Sequence, residues 1–394
     1  MSAATKTTAA PATEITTMRR LREYLRNGMK LEHATIPPYL TALYSIHPGK
    51  NPDAWHIIRV VAVEEMLHLT LVANVMNAVC DATDPASKPD LTKPGFVPDY
   101  PAYLPDGQQD FQVHLRGFSE AALETFLLIE RPKEAPAEAR ILPLRRPSGA
   151  YGGPGTRAGR AGEMLAAVPG DPTRRYYSIG EFYEEIIRGI NYLEDKAREQ
   201  GKTIFTGDPG LQITPEHFYS GGGEVIPVTN RDSAVKALKL IAEQGEGYGG
   251  GIYNKEGELA HYYRFQQLTS GRYYQKGDTP ETGPSGPGLA VDWGAAYRVR
   301  PDAKLADYPP GSGLRAAARQ FNEDYASFLT MLTKAFNGQP KLLTEAVWEM
   351  FRIRDKMTRL IHNPIPPLSG ADAPAVEHAA PTFELYGQLE ETQS

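Results

Sequence analysis

The sequence predicts a mainly α-helical protein in which four helices form a bundle. Two observations lead to this prediction. Apolar residues recur at spacings of three and four in several long stretches, as they do in helices that bury one face. One of these stretches, residues 52–80, is apolar around most of its circumference, which indicates a central helix packed on several sides.

The first helix is predicted over residues 18–46, where Glu32 lies on the same apolar stripe as Met29. Pro37 and Pro38 follow about one turn after Glu32 and remove two backbone donors. We therefore expect this helix to kink or restart at the two prolines.

The second helix, residues 52–80, carries Glu65 and His68 three residues apart, so that both project from one face. An ionisable pair is costly to bury without a partner, and a metal ion would satisfy both side chains. The four-residue pattern alone is common on helices. Its apolar surroundings make it informative here.

Residues 81–175 form a long insertion between the second and third helices in which Pro and Gly recur. A strand at 111–115 and a short helix at 119–129 are predicted within it. Structureless loops of this length are uncommon in compact domains, so the insertion has a function or covers a site; a variable surface loop is the alternative.

The third helix is predicted to follow Ser178, which has the side chain of an N-cap. Its candidate ligands are Glu184, which we prefer, and Glu181. Neither lies at the centre of the apolar stripe of this helix, so the choice between them stays open.

The fourth helix is predicted to begin near Asp232 and Ser233 and to carry Glu246 on an apolar row. Glycines 249–251 must interrupt it before the chain returns to helix at His261. A regular site would place these two ligands within one turn. Either the intervening residues bulge out and the helix resumes with His261 in register, or His261 is not a ligand.

Two more helices are predicted over residues 314–336 and 341–360. Residues 1–17 and 368–394 are predicted to be tails, the first of them disordered. The remainder, residues 18–367, is predicted to be a single domain.

The composition narrows the function classes. The chain has 394 residues, a net charge of −6 and no dense basic block, which argues against binding to nucleic acid or to an anionic membrane surface. Cys80 is the only cysteine, so any metal must be bound by His and carboxylate groups. The chain begins without a signal-peptide pattern, and polar residues interrupt its most apolar helix; we expect a cytoplasmic protein that does not span a membrane.

The acidic and imidazole groups of the four helices match the ligand set of a dinuclear carboxylate site in a helical bundle. The candidate ligands are Glu32, Glu65, His68, Glu181 or Glu184, Glu246 and His261. Four carboxylates neutralise two divalent metal ions, and carboxylate with imidazole suits iron, the preferred metal, or manganese. Each residue alone could be a satisfied buried polar group, but together they would then be several unrelated buried charges at matching positions.

Several segments carry a resemblance to a known family. They are Leu31-Glu32-His33-Ala34-Thr35-Ile36-Pro37-Pro38-Tyr39-Leu40, Val63-Glu64-Glu65-Met66-Leu67-His68-Leu69, Ser178-Ile179-Gly180-Glu181-Phe182-Tyr183, Glu243-Gln244-Gly245-Glu246-Gly247 and His261-Tyr262-Tyr263-Arg264-Phe265. With them the chain resembles the ferritin-like domain family of iminophenyl-pyruvate dimer synthases over residues 19–367. The synthases are much longer chains, and this one looks like their ferritin-like portion standing alone.

The resemblance implies a ferritin-like four-helix bundle with a loop-rich insertion and two additional C-terminal helices. It also implies a part in oxidative secondary metabolism, such as the coupling of imines derived from aromatic amino acids. The leading hypothesis is a non-haem dinuclear metal oxidoreductase that uses dioxygen or peroxide on a small organic substrate. The alternatives are a metal-storage protein without organic substrate and a metal-free ligand-binding bundle. The oligomeric state stays open, a homo-oligomer included.

Overall fold

The computed structural model describes residues 13–81, 83–107, 109–133, 176–218, 222–365 and 376–385. Helices dominate these ranges, and β pairing within them is limited to isolated bridges. The α-helices are α1 (Met18–Ser45), α2 (Pro52–Ala78), α3 (Glu120–Ile129), α4 (Ile179–Arg198), α5 (Arg231–Glu246), α6 (His261–Ser270), α7 (Gly313–Phe336) and α8 (Leu342–Ile361). The mainly α-helical prediction is confirmed.

Four positions form the bundle, and two of them are each filled by a pair of helices. Helices α1 and α2 pack along their lengths and fill the first two positions. The third position is filled by α3 and then α4, and the fourth by α5 and then α6. Each half of the third position packs against a half of the fourth: α3 against α6, and α4 against α5. α1 contacts both halves of the third position, and α2 contacts both halves of the fourth.

This arrangement changes the interpretation of residues 81–175. The short helix predicted within that insertion is α3, which belongs to the bundle and is not a cover on its outside. The strand predicted at 111–115 is absent, and Val113 makes only an isolated bridge to Ala102.

Helix α1 does not restart at its two prolines but continues through both to Ser45. Pro38 lacks the amide that would bond to the carbonyl of Ala34, and the buried hydroxyl of Tyr100 donates to that carbonyl at 2.8 Å instead. A residue of the insertion thus supplies the hydrogen bond that the proline removes, close to Glu32.

The helix starts agree with the sequence signals to within a few residues. The Ser178 hydroxyl accepts a hydrogen bond from the amide of Glu181 at 3.2 Å, which confirms it as an N-cap. Helix α5 begins slightly earlier than predicted, because Asn230 is its N-cap and accepts from the amide of Ser233 at 3.0 Å.

Parts of both predicted tails are packed against the domain. Ile15 is fully buried and lies so close to Gly189 that a Cβ there would come within 2.5 Å of the Ile15 Cβ. Near the other end of the chain, Phe383 is buried and packs edge-on against Phe321 and Tyr325 of α7. The structure therefore packs residues 13–17 against the domain; the rest of the first tail lies outside the described residues.

In the ranges that the structure covers, every helix falls short of the length or the apolarity that a membrane span requires.

Candidate metal centre

Two groups of buried side chains, each able to hold a metal ion, meet in the middle of the bundle. They are Glu32, Glu65 and His68, and Glu65, Glu130 and His261. Within each group, one ligand atom per residue lies within 4.8 Å of the others. Glu65 belongs to both groups, so the two positions are adjacent and share one carboxylate.

The shared carboxylate lies between the two imidazoles. Nδ1 of His68 lies 3.6 Å from Oε1 of Glu65, and Nδ1 of His261 lies 3.0 Å from the same oxygen. Each imidazole also faces a second carboxylate: His68 faces Glu32 at 3.3 Å, and His261 faces Glu130 at 3.4 Å. The donors therefore converge on two adjacent positions that share the Glu65 carboxylate, and a metal ion could be held at each.

Hydroxyl groups orient all three carboxylates from outside the centre. The donors are Tyr183 to Glu32, Thr35 to Glu65 at 2.8 Å and Tyr39 to Glu130 at 2.5 Å. In each case the oxygen that accepts this bond is not the one that faces an imidazole. One oxygen of each carboxylate is thereby fixed, and the other is directed into the centre.

The outer nitrogen of each imidazole is also held. Nε2 of His68 lies 2.8 Å from the amide oxygen of Gln244, whose amide nitrogen donates to the carbonyl of Gly222 at 2.9 Å. Since that second bond fixes the amide orientation, the network assigns the Nε2 proton of His68 and leaves Nδ1 for the centre.

His261 is held in the same way by a charged pair. Its Nε2 lies 2.7 Å from Oε2 of Glu64, and the guanidinium of Arg264 donates to that oxygen at 2.8 Å. Burial opposes ionisation of Glu64, but His261 and Arg264 outweigh it and lower the pKa of this carboxyl. An ionised Glu64 accepts the Nε2 proton, so Nδ1 of His261 faces inward as well.

The inward-facing nitrogens fit a bound cation. Nδ1 of His261 is fully buried and has no hydrogen-bond partner of acceptable geometry among the described residues, although two carboxylates surround it. An imidazole lone pair and a carboxylate oxygen repel each other unless a proton or a metal ion lies between them. Three carboxylates with two imidazoles are a donor set that suits iron or manganese.

Without a cation, protons must take its place. Burial lowers the pKa of His68, but the adjacent carboxylates of Glu32 and Glu65 outweigh it and raise the pKa to about 10. The pKa of His261 is raised well above its usual value against the same effect of burial, by the adjacent charge of Glu130 and by the neighbouring carboxylates of Glu64 and Glu65. Burial raises the pKa of Glu32 to about 7.

Four of the sequence-predicted ligands come together in this centre: Glu32, Glu65, His68 and His261. The other three lie elsewhere in the structure. The side chain of Glu184 is half exposed and pairs with Lys133 at 3.1 Å. Glu181 accepts the amide of Tyr177 at 3.0 Å, beside the start of α4.

Glu246 has a structural role at the junction of the interrupted helices. Its carboxylate accepts the backbone amides of Gly180 and, at 3.1 Å, Lys133. A Cβ at position 180 would lie 2.7 Å from this carboxylate, so glycine is needed for the approach. Burial raises the pKa of Glu246 to about 7.

Glu130, which closes α3, was missed because α3 lies in a segment interpreted as loop-rich. The sequence feature that could have identified Glu130 as a buried carboxylate is the apolar turn directly before it, which includes Phe126, Leu127 and Ile129. The chain also contains a second Glu-x-x-His, Glu258 to His261. Helix α6 begins only at His261, so the exposed Glu258 is not on the helical face of His261.

Comparisons with known proteins agree with this fold. A crystal structure of a ferritin-like protein from Caulobacter vibrioides is 21% identical, covers 87% of this chain and 94% of its own, and superposes with a TM-score of 0.55. Dichlorochromopyrrolate synthase from Lentzea aerocolonigenes is 24% identical over 95% of this chain but only 36% of its own length. The chain thus spans about a third of that relative.

The family comparison covers the whole centre. Residues 25–270 match the family model described as Ferritin-like, a range that exceeds half of the chain and includes Glu32 and His261, the first and last of the five converging residues. The resemblance seen in the sequence and the bundle seen in the structure point to the same assignment. The chain therefore belongs to the Ferritin-like family.

Proposed function

We propose that the protein is an oxidoreductase with a non-haem dinuclear metal centre that acts on a small organic substrate. The metal ligands are Glu32, Glu65, His68, Glu130 and His261. The observation that carries this proposal is the pair of inward-facing Nδ1 atoms on either side of the shared Glu65 carboxylate. Such a buried donor set is costly to maintain without cations between its members.

When bound, iron or manganese would supply redox chemistry with dioxygen or peroxide. The protein holds the donors in place and excludes water. All five proposed ligands are at most 2% exposed, and Thr35, Tyr39 and Tyr183 fix the carboxylates from outside. Gln244 and Glu64 retain the Nε2 protons of the two histidines. These contacts pre-organise the site for its metals.

Two observations support an organic substrate over metal storage alone. The similar Lentzea aerocolonigenes protein is named as a synthase of an organic product. In addition, a small cavity of about 20 Å³ that opens to the surface lies where α3 ends and α4 begins. Its lining includes Leu31, Ile129 and Arg131, the sequence neighbours of Glu32 and Glu130. The cavity holds about one water molecule at this volume, and a substrate would approach the centre through its opening.

Elemental analysis of protein purified without chelators tests the metal centre. We expect about two metal ions per chain, as in other bundle sites with this pattern. Glu130→Gln should reduce the metal content, whereas Glu246→Gln should retain it and is the matched control, since both change one partly or fully buried glutamate. Less than one ion per chain in the wild-type protein would overturn the proposal.

Oxidant consumption then tests the reaction class. Metal-loaded protein should consume dioxygen or peroxide faster when amino-acid-derived imines or 2-oxo acids are added. Glu130→Gln should lose this stimulation and Glu246→Gln should keep it. If the metal is present but no organic additive changes the consumption, the protein is a storage protein instead.

A further inference from the structure

One side of the centre lacks a protein ligand that the other three sides provide. α1, α2 and α3 each contribute a carboxylate, through Glu32, Glu65 and Glu130. Among the described residues, the fourth position contributes only the imidazole of His261 to the two groups. The regular pattern for such a site has four carboxylates and two imidazoles. The missing donor therefore belongs to the side formed by α5 and α6.

The end of α5 occupies this side without filling it. The Gln244 side chain is already bonded to His68 and to the carbonyl of Gly222. The next residue, buried Gly245, faces the centre, since a Cβ built there would lie 3.5 Å from Oε2 of Glu130. That oxygen is the one that faces Nδ1 of His261.

Backbone conformation does not explain the glycine. Gly245 lies within the last turn of α5 and is not one of the described glycines with positive φ. A glycine inside a helix is less favourable than an alanine. The absence of a side chain thus leaves space beside Glu130 at the expense of helix stability.

The charge of the centre favours an anion in that space. Two divalent cations would bring four positive charges, and the three carboxylates offset three of them. The positive charge of nearby Arg264 is already offset by Glu64, so only the ligands of the centre offset the charge of the metal ions. An anionic oxygen donor beside Gly245 would complete both the charge and the ligand count.

We propose that Gly245 keeps open a coordination position for the carboxylate of the organic substrate. This inference rests on the proposed function and narrows its substrate to small carboxylic acids. The substrate carboxylate takes the place of the fourth glutamate of a regular site. When its carboxylate binds beside Gly245, the rest of the substrate lies at the level of the bundle where α5 ends and α6 begins.

The test uses the full chain loaded with Co²⁺, whose visible absorption reports its ligands, and phenylpyruvate as the probe. Phenylpyruvate should change the Co²⁺ spectrum in a saturable manner, and its methyl ester should not. Gly245→Ala should weaken the phenylpyruvate effect by at least about tenfold. Gly245→Glu should bind Co²⁺ but no longer respond to the acid, because the protein then supplies the fourth carboxylate. Lys239→Gln, on the exposed face of α5, lowers the net charge of the protein by as much as Gly245→Glu does and is the control for that variant.

The outcomes separate this inference from the proposed function. If wild-type protein binds Co²⁺ and consumes oxidant with organic acids, but the acid and its ester affect the spectrum alike, the inference alone is overturned. An unchanged response in Gly245→Ala overturns it as well, even if Gly245→Glu fails to fold. If the wild-type protein binds no metal, both the inference and the proposed function fail.

Discussion

Oε1 of Glu65 lies 3.0 Å from Nδ1 of His261, so that α2 meets the first residue of α6 across the centre of the bundle. The same oxygen lies 3.6 Å from Nδ1 of His68, one turn along α2. A single carboxylate oxygen is therefore common to both halves of the candidate centre. Changes at this residue should differ from changes at residues that belong to one half only.

Glu65→Gln should abolish binding of both metal ions, because the neutral amide removes the charge that the two positions share. Glu32→Gln should weaken mainly the position formed with His68. Metal content after dialysis, measured by elemental analysis, checks both variants. Equal losses in the two variants would contradict the bridging role, and Glu184→Gln, a surface carboxylate, should change nothing.

Glu64→Gln should weaken metal binding by about 10- to 100-fold, because the neutral amide holds the Nε2 proton of His261 less strongly. Circular dichroism should show unchanged helix content. Competition with a chelator of known affinity measures the change. The matched control is Glu243→Gln, which alters a carboxylate of α5 that pairs with Lys255 at the surface. Wild-type affinity in Glu64→Gln would show that the orientation of His261 is set by other contacts.

Metal binding should release at least two protons at pH 7, one from each histidine and part of a third from Glu32, whose pKa is about 7. The pKa of His68 is about 10 and that of His261 is also raised, so both imidazoles are protonated in the metal-free protein at neutral pH. These protons compete with the metal, and apparent affinity should therefore rise with pH and fall as the solution is acidified.

Titration calorimetry in buffers of different ionisation enthalpy measures this proton release. His217→Gln should leave the proton count unchanged, since His217 bonds to Thr214 in a turn outside the centre. Heats that do not depend on the buffer would mean that the Nδ1 atoms carry no protons before the metal binds.

Tyr100→Phe should lower the free energy of unfolding by about 1–3 kcal/mol, because the Ala34 carbonyl then loses its replacement donor inside a buried helix. Denaturant unfolding measures the change. Tyr103→Phe, at a side chain that is 45% exposed, should have almost no effect. Equal stability of Tyr100→Phe and the wild-type protein would mean that water satisfies this carbonyl.

Much of the fold could be predicted from local patterns. Helical periodicity located the helices, and the side-chain chemistry of Ser178 identified the start of α4. Contacts between residues that are far apart in the sequence are harder to predict. The prolines of α1 indicated a break, but Tyr100 donates the missing hydrogen bond from a segment far along the chain. Similarly, α3 appeared to be an isolated helix in a loop because its partner α6 is distant in sequence.

The sequence by itself determined the half of the centre on uninterrupted helices. Within one helix, spacing fixes which residues share a face, and this is why Glu65 and His68 could be paired and Glu32 placed on the stripe of α1. Only the tertiary structure decided the other half. The third and fourth positions of the bundle are each built from two helices. Where a helix is interrupted, the spacing of two residues in the sequence no longer tells whether their side chains lie on the same face. Glu130 therefore reaches the centre at the end of α3, whereas Glu246 turns to the start of α4 and Gly245 faces the remaining space.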